Sequence, residues 1–284
     1  MAYSFLHRLR GALPKRLRPP LTYIFHGLRD VIGFLTGNRG TGLPPYRLMV
    51  GGKRTNEEFR KTGDEFFRYM RDICGLLPHE RVLDIGCGTG QKMFPLLEYL
   101  NDEGGYDGFD LDPRRIKWLT THVTRSNSNF RFQVCDVYNG HYNPGGRLPP
   151  GNYRFPYRDC SFDLVICMSV FTHMLPADVR RYFSEIRRVL QPGGRCLLSF
   201  FLLDEESRGL MLEGKSDLVF KFEIDGCSTT DRRVPETAVA FDESAVSSFY
   251  KGNGLSIQKP VFYGSWSGRR NFLSYQDLIV AVKE

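Results

Sequence analysis

A chain of 284 residues that is 41% hydrophobic has room for one large α/β domain with extensions and reads as an ordinary soluble globular protein. Its seven cysteines (Cys74, Cys87, Cys135, Cys160, Cys167, Cys196, Cys227) are odd in number and scattered, with no C-x-x-C pair. That argues against zinc and a disulfide framework and makes a reducing cytoplasm the expected compartment. The net charge of +7 lies wholly in residues 1–50, where Arg8, Arg10, Lys15, Arg16, Arg18, Arg29, Arg39 and Arg47 face the single acid Asp30; elsewhere the two signs balance. A main domain with a broad basic face for nucleic acid is therefore not expected.

In chain order, residues 1–20 mix Phe5, Leu6, Leu9 and Leu13 with basic residues and end at Pro19-Pro20. Leu21, Ile24, Phe25, Leu28, Val31, Ile32 and Leu35 then follow the i, i+3, i+4, i+7 spacing of an amphipathic helix. His26, Arg29 and Asp30 interrupt it, so no apolar run reaches membrane-spanning length, and no secretory signal is visible. Three uses stay open for residues 1–36: packing on the main domain, peripheral contact with a membrane surface, or an arm for nucleic acid. The Gly/Pro-rich stretch Gly40 to Lys53 reads as a linker, so the extension covers residues 1–53 and the main domain 54–284. Asn56 is the expected cap of a helix whose inner face carries Phe59, Phe66, Phe67, Met70, Ile73 and Leu77.

From Arg81 the pattern alternates strand and helix. Strand 1 (81–85) runs into Gly86-Cys87-Gly88-Thr89-Gly90 and a helix expected over 90–101. Strand 2 (106–110) precedes a helix opened by Pro113, strand 3 (130–135) ends at Asp136, and strand 4 (162–168) precedes a helix opened near Pro176. Gln191-Pro192-Gly193-Gly194 stops that helix before strand 5 (195–202). Such alternation predicts a doubly wound α/β fold, a parallel sheet with helices on both faces and ligands at the carboxyl ends of the strands.

Glycines let backbone amides approach a ligand closely, and a helix amino terminus would add partial positive charge. The G-x-G-x-G spacing, with Asp84 two residues earlier, differs from the dinucleotide pattern G-x-G-x-x-G. Asp110, at the end of strand 2, is placed to accept from both hydroxyls of a ribose, and Asp136, one strand further, from an exocyclic purine amine. Helix capping is the ordinary alternative for any one of these acids.

Val82 to Gly90, Gly108 to Asp112, Phe155 to Asp163 and Glu185 to Gly194 together resemble the class I S-adenosylmethionine-dependent methyltransferases, in particular the small-molecule branch similar to quinone-biosynthesis enzymes. The resemblance runs from about Arg81 to Phe200. It implies that Asp84, Gly86, Cys87, Gly88 and Gly90 hold the methionine part of the cofactor S-adenosylmethionine, Asp110 the ribose, and Asp136 with Val137 the adenine. Leu111 would pack on the purine ring, and Ser169 after strand 4 completes the set. The family's further helix, sixth strand and antiparallel seventh strand are expected at Glu243 to Tyr250, Leu255 to Tyr263 and Tyr275 to Val282.

Four connections then surround the acceptor: Tyr138 to Arg154, Ser169 to Met174, the long stretch 203–241 read as a cap or lid, and Gly264 to Arg270. In the last, Trp266, Arg269 and Arg270 suit a sugar, an aromatic ring or an anion. A hydroxyl acceptor must lose its proton, which makes His173 a general-base candidate, with His141 and Glu236 as weaker ones; the other reading of His173 is a structural role in the turn before Pro176. Cys167-Met168-Ser169-Val170 lacks the Asn/Asp-Pro-Pro-aromatic run of enzymes that methylate nucleic-acid amines. The expected acceptor is thus a hydroxyl of a small molecule, glycan or lipid-linked compound, with a small amine second and no nucleic acid; an inactive cofactor-binding partner subunit is the non-enzyme alternative.

Overall fold

The computed structural model describes residues 27, 28, 30, 31, 42–49 and 55–284. Two compact units meet between Thr62 and Gly63, later than the expected 53/54 boundary, since the first turns of the helix at 56–68 belong to the unit of residues 1–62. Most of the helix expected between Leu21 and Leu35 lies outside the described residues. In that unit the buried carboxylate of Asp30 accepts the N–H groups of Tyr46 and Arg47, at 2.7 and 3.5 Å, and so holds the short 3-10 turn Tyr46–Leu48. Helix α1 (Asn56–Arg68) is capped by Thr55 in place of Asn56, because Thr55 Oγ1 accepts the Glu58 N–H at 3.0 Å. Among the described residues no helix is long and apolar enough to cross a membrane.

The unit of residues 63–284 is built on a seven-stranded sheet. Its strands in chain order are β1 (Arg81–Ile85), β2 (Gly105–Asp110), β3 (Phe130–Val134), β4 (Phe162–Cys167), β5 (Leu190–Phe200), then, after a short insertion described below, β10 (Leu255–Phe262) and β11 (Asp277–Lys283). Their spatial order is β10-β11-β5-β4-β1-β2-β3, all parallel except β11, which runs antiparallel to both neighbours. This is the expected doubly wound, mostly parallel architecture with a reversed last strand. Val82, Leu83, Asp84 and Ile85 are all buried because β1 lies between helices on both faces.

Helix α2 is only Leu96–Tyr99, much shorter than the helix expected over 90–101. From Gly90 onward several N–H groups reach back three residues, Met93 to Gly90 (2.9 Å) and Leu96 to Met93 (2.8 Å), and Pro95 has no N–H to give. The glycine turn therefore has no long helix dipole behind it. Helix α3 (Pro113–Leu119) is capped by Asp112, which accepts the Arg114 N–H at 2.9 Å. Helix α4 (Pro176–Val189) buries the expected face of Val179, Tyr182, Phe183, Ile186 and Val189. Its buried Glu185 accepts the Phe155 N–H at 2.8 Å, and Arg188 donates to the carbonyls of Phe155 and Tyr157, so the motif segments Phe155 to Asp163 and Glu185 to Gly194 are tied by buried ionic contacts.

The stretch 203–241 forms a small structure of its own: β6 (Leu202–Leu203), α5 (Glu205–Leu212), β7 (Phe222–Ile224), β8 (Cys227–Thr229) and β9 (Val239–Asp242), with sheet order β6-β9-β8-β7. A two-residue Asp225-Gly226 turn with positive φ at both positions closes the β7–β8 hairpin. Phe201, Leu203, Phe220, Ala238, Ala240 and Trp266 make a core separate from that of the main sheet. Helix α6 (Glu243–Gly252) then leads to β10.

One carboxylate joins these parts. Asp277, fully buried at the start of β11, accepts the N–H groups of Leu202 and Gly264, both at 2.6 Å, and the indole N–H of Trp266 at 2.7 Å. Burial pushes its carboxyl up to about 6, above the ordinary 3.8. A raised folded-state value means that the group's contribution to stability is complete below the unfolded value and is lost as pH rises through the folded one. Asp277→Asn should therefore flatten the stability profile relative to wild type between roughly pH 4 and pH 6, measured by urea unfolding; parallel profiles would show that burial of this carboxylate is not coupled to stability.

Candidate active site

The glycine turn is held from beneath and from one side. Gly86 and Cys87 both donate to the carbonyl of Phe109 on β2, at 2.9 and 3.0 Å, and the Gly88 N–H donates to Asp110 Oδ2 at 2.9 Å. Gly86, Gly88 and Gly90 all have positive φ. A Cβ on Gly86 would stand 2.5 Å from Val170 Cγ2, and one on Gly90 2.8 Å from Leu119 and Met93, so these positions are closed to side chains by both conformation and space.

Beneath the turn Asp84 is completely enclosed. Lys92 Nζ lies 3.2 Å from its Oδ2, and the Tyr106 hydroxyl donates to the same oxygen, while Oδ1 has no partner in the protein. Burial pushes the Asp84 carboxyl up, and the Lys92 ammonium opposes that. The orphaned oxygen and the glycine cradle together fit a ligand carrying an amino-acid ammonium and a nucleoside. Asp110 also accepts the Asp112 N–H at 3.0 Å, with Arg115 3.9 Å away, which leaves part of its carboxylate edge for a diol. Asp136 is partly exposed; Arg147 lies against it and holds its carboxyl below the usual range. Val137 is buried, and the Tyr138 to Arg154 loop folds back on it: Leu148 N–H donates to Asp136 O (3.0 Å) and Tyr138 N–H to Leu148 O (2.8 Å). Leu111 packs against the main core.

The three base candidates come together. His173 Nδ1 lies 2.9 Å from the Glu236 carbonyl, so Nδ1 carries the proton and Nε2 is left as the acceptor. The rings of His141 and His173 are nearly parallel, with centroids 5.9 Å apart, and Tyr142 stands edge-on to both. The Tyr142 hydroxyl is 3.4 Å from His173 Nε2. Glu236 accepts the Gly140 N–H at 3.2 Å through Oε1, which makes it a brace between the cap and the loop. Burial lowers the His173 pKa from its ordinary 6.5 and keeps the ring neutral. The cluster is built on the connections that leave β3 and β4, the strands flanking β2 and β1, and so lies at the same end of the sheet as the glycine turn.

At the end of β4, Ser169 has φ 58, a conformation seldom adopted by a residue with a side chain. Its N–H donates to Ser199 Oγ at 2.7 Å, and both serine hydroxyls lie on Gln276 Oε1, at 3.0 and 2.7 Å. Three strand ends are thus laced beside Gly86.

Trp266 and Arg269 are not where the sequence suggested. Trp266 is fully buried between Phe201 and Phe220 because Asp277 draws its indole N–H inward. The Arg269 side chain is 4% exposed, paired with Asp204 and with Glu206 at 3.0 Å, and its guanidinium carbon lies 4.1 Å over the Tyr263 ring. Both secure the Gly264 to Arg270 turn to the cap, while Arg270 stays exposed. Sequence reasoning missed Lys92, Tyr142, Asn139 and Gln276. Asn139 accepts the His141 and Tyr142 N–H groups, at 3.1 and 2.9 Å, and donates to the His173 carbonyl at 2.8 Å. The Tyr/Asn density of 138–154 was the available signal for Tyr142 and Asn139; a lone lysine beyond the glycines gives none.

A seven-stranded sheet in this order with a reversed seventh member, a glycine turn after its central strand and acids on the next two strand ends define a Rossmann-like fold for a nucleoside-bearing cofactor. Residues 83–198 match the family model for the methyltransferase domain. The magnesium protoporphyrin IX methyltransferase of Synechocystis PCC 6803, solved with bound S-adenosylhomocysteine, shares the fold at 16% identity, with a TM-score of 0.52 over 92% of this chain and 99% of that one. Among curated relatives, aklanonic acid methyltransferase of Streptomyces sp. (strain C5) is 31% identical over half of this chain and 59% of its own length. The tRNA N(3)-cytidine methyltransferase of Gallus gallus is 30% identical over 45% of this chain and 32% of its own. The chain thus spans less than two thirds of either of these relatives. It carries a class I methyltransferase domain, and S-adenosylmethionine is the cofactor of that domain.

Removing the cation beneath the turn leaves an uncompensated buried carboxylate. Lys92→Met should cost about 3–5 kcal/mol in chemical unfolding; a loss below about 1 kcal/mol would mean that Asp84 takes up a proton without strain. Gly86→Ala should weaken S-adenosylhomocysteine binding at least about tenfold by calorimetry, because Val170 leaves no room for its methyl.

Proposed function

We propose that this domain transfers the methyl group of S-adenosylmethionine to a hydroxyl of a small molecule, glycan or lipid-linked acceptor. The observation that carries the reading is the neutral His173, whose Nε2 is kept as an acceptor by the Nδ1 contact to the Glu236 carbonyl, in a cluster on the connections after β3 and β4 at the glycine-turn end of the sheet. Bound S-adenosylmethionine supplies an electrophilic methyl on a sulfonium. In this reading Asp84 and Gly86 to Gly90 hold its amino-acid part, Asp110 its ribose hydroxyls, Asp136 and Val137 the adenine and Leu111 one face of the purine. Ser169 adds a polar contact next to Gly86. The protein's remaining work is to hold the acceptor in line and to accept its proton.

His173 Nε2 receives that proton, the Glu236 carbonyl fixes the ring, Asn139 holds the His173 backbone through its carbonyl, and His141 and Tyr142 wall the imidazole. Glu236 itself, spent on the Gly140 N–H, acts as a brace, and His141 as a wall. The likeness to aklanonic acid methyltransferase supports a small-molecule acceptor. The likeness to a tRNA methyltransferase makes an RNA acceptor the second reading; against it stands the balance of charge in residues 51–284. A small amine as acceptor, or a subunit that binds the cofactor without turnover, would use the same cradle.

Radiolabelled methyl transfer to a small-molecule extract and to total tRNA separates these readings: label in the extract is expected, and label in tRNA alone would overturn the small-molecule assignment. With an accepted substrate, His173→Gln should lower kcat by roughly 10²-fold or more while leaving S-adenosylhomocysteine affinity unchanged. The lowered His173 pKa predicts wild-type kcat that is flat near neutrality and falls only on acidification below the ordinary histidine value of 6.5. An unaltered kcat in His173→Gln would remove the general base from the mechanism.

A further inference from the structure

The turn that follows β10 borders a cleft of about 720 Å³ between α5 of the cap and residues 268–273. It opens on the same edge of the sheet as the glycine turn but beyond β4, β5 and β11, four strand spacings or about 19 Å from β1. Its size is that of a small-molecule site. Leu210, Val261, Phe262 and Phe272 give it apolar walls. Phe272 is 58% exposed, yet the loop bearing it is fastened: the Tyr69 hydroxyl donates to the Leu273 carbonyl at 2.7 Å, and Ser265 N–H to Ser274 O at 3.0 Å. Leu273, 37% exposed, lines the cleft beside it, so the rim offers neighbouring apolar side chains for contact.

The charges of the cleft are unequal in availability. Glu206 is the single acid among the lining residues, and it is spent on Arg269, which Asp204 also holds and which is stacked on Tyr263. The Arg269 side chain is more than nine-tenths buried, with Nη1 unpartnered. Arg270 stands exposed beside it, and Lys215 is exposed with only a surface pairing to Glu213, which is worth little in water. The rim is therefore cationic over an apolar wall, and neither feature takes part in the cofactor cradle.

We propose that this cleft binds an amphipathic anion, a free molecule with one carboxylate or phosphate on an aliphatic or aryl body. The apolar body lies between Leu210, Phe262 and Phe272, and the anionic group meets Arg270 and Lys215; Arg269, neutralised by Asp204 and Glu206, serves as the fixed floor beneath them. Binding here does not depend on methyl transfer, so it stands or falls separately from the proposed activity.

The test uses the full chain without cofactor and a monomeric fluorescent probe, 11-(dansylamino)undecanoate, with its methyl ester as the neutral control. Saturable binding with at least about a tenfold preference for the carboxylate over the ester is expected, lost in Arg270→Ala and partly kept in Arg270→Lys. Phe272→Ala should weaken acid and ester alike. Both positions are exposed, and a thermal melt matching wild type verifies the fold of each variant. Absence of saturable binding, equal affinity for acid and ester, or wild-type affinity in both Arg270→Ala and Phe272→Ala would overturn the proposal. Binding to anionic vesicles with none to the monomeric probe would overturn it as well, since the surface would then recognise a bilayer.

Discussion

A carboxylate with no exposed surface must be neutralised where it stands, and Asp84 at the end of the central strand imposes that condition on everything above it. Lys92 meets it by folding back beneath the turn, where its ammonium also lies 3.5 Å from the Gly86 carbonyl. Residues 86 to 92 must then describe a tight arc, which only glycines at positive φ can follow. The same arc presents two N–H groups to Phe109 and one to Asp110. The cradle is thus set by a buried ion pair and by hydrogen bonds to β2, with little help from a helix dipole.

A second buried carboxylate organises the other side of the cleft. By accepting from Leu202, Gly264 and Trp266, Asp277 fixes where β5 ends, where the β10–β11 connection begins and where the cap attaches. Trp266 is then the centre of the cap's own core, and Arg269 a clamp between that connection and α5. The cap in turn delivers the Glu236 carbonyl to His173, so the imidazole's orientation depends on a segment more than sixty residues away in the chain. Parallel topology explains the convergence, because connections leaving the carboxyl ends of neighbouring strands must share one edge of the sheet.

The division of labour follows from these two anchors. Next to β1 and β2 the surface is made of backbone N–H groups and acids, suited to a polar nucleoside-bearing ligand. Beside β4 and β5 it is made of neutral hydrogen-bonding side chains: Ser169, Ser199, Gln276, His173 and Tyr142. At the outer edge, past β11, it becomes aromatic and cationic. The chain thus presents three chemical environments in series along one sheet edge.

The order of the first five strands, the glycine turn and the acids at 84, 110 and 136 were legible in the sequence, because strand periodicity and glycine spacing are local and parallel topology turns them into positions; the reversed last strand was expected from the family resemblance. The meeting of His173 with His141 and Glu236 was suggested by the same topology. Side-chain direction was not legible. Trp266 and Arg269 looked like substrate contacts since the sequence could not show that Asp277, Asp204 and Glu206 would claim them. The helix after the glycines was overestimated because apolar spacing does not reveal that Pro95 and three-residue turns break it. Lys92 could not be read as buried, since its partner is defined only once the strand and the turn are folded together. The sequence by itself determined the fold, the cofactor and the edge of the sheet where chemistry belongs. Which side chains are spent on holding that edge together, and which remain free to meet an acceptor, only the tertiary structure decided, because pairing between distant charges is settled by packing and not by local pattern.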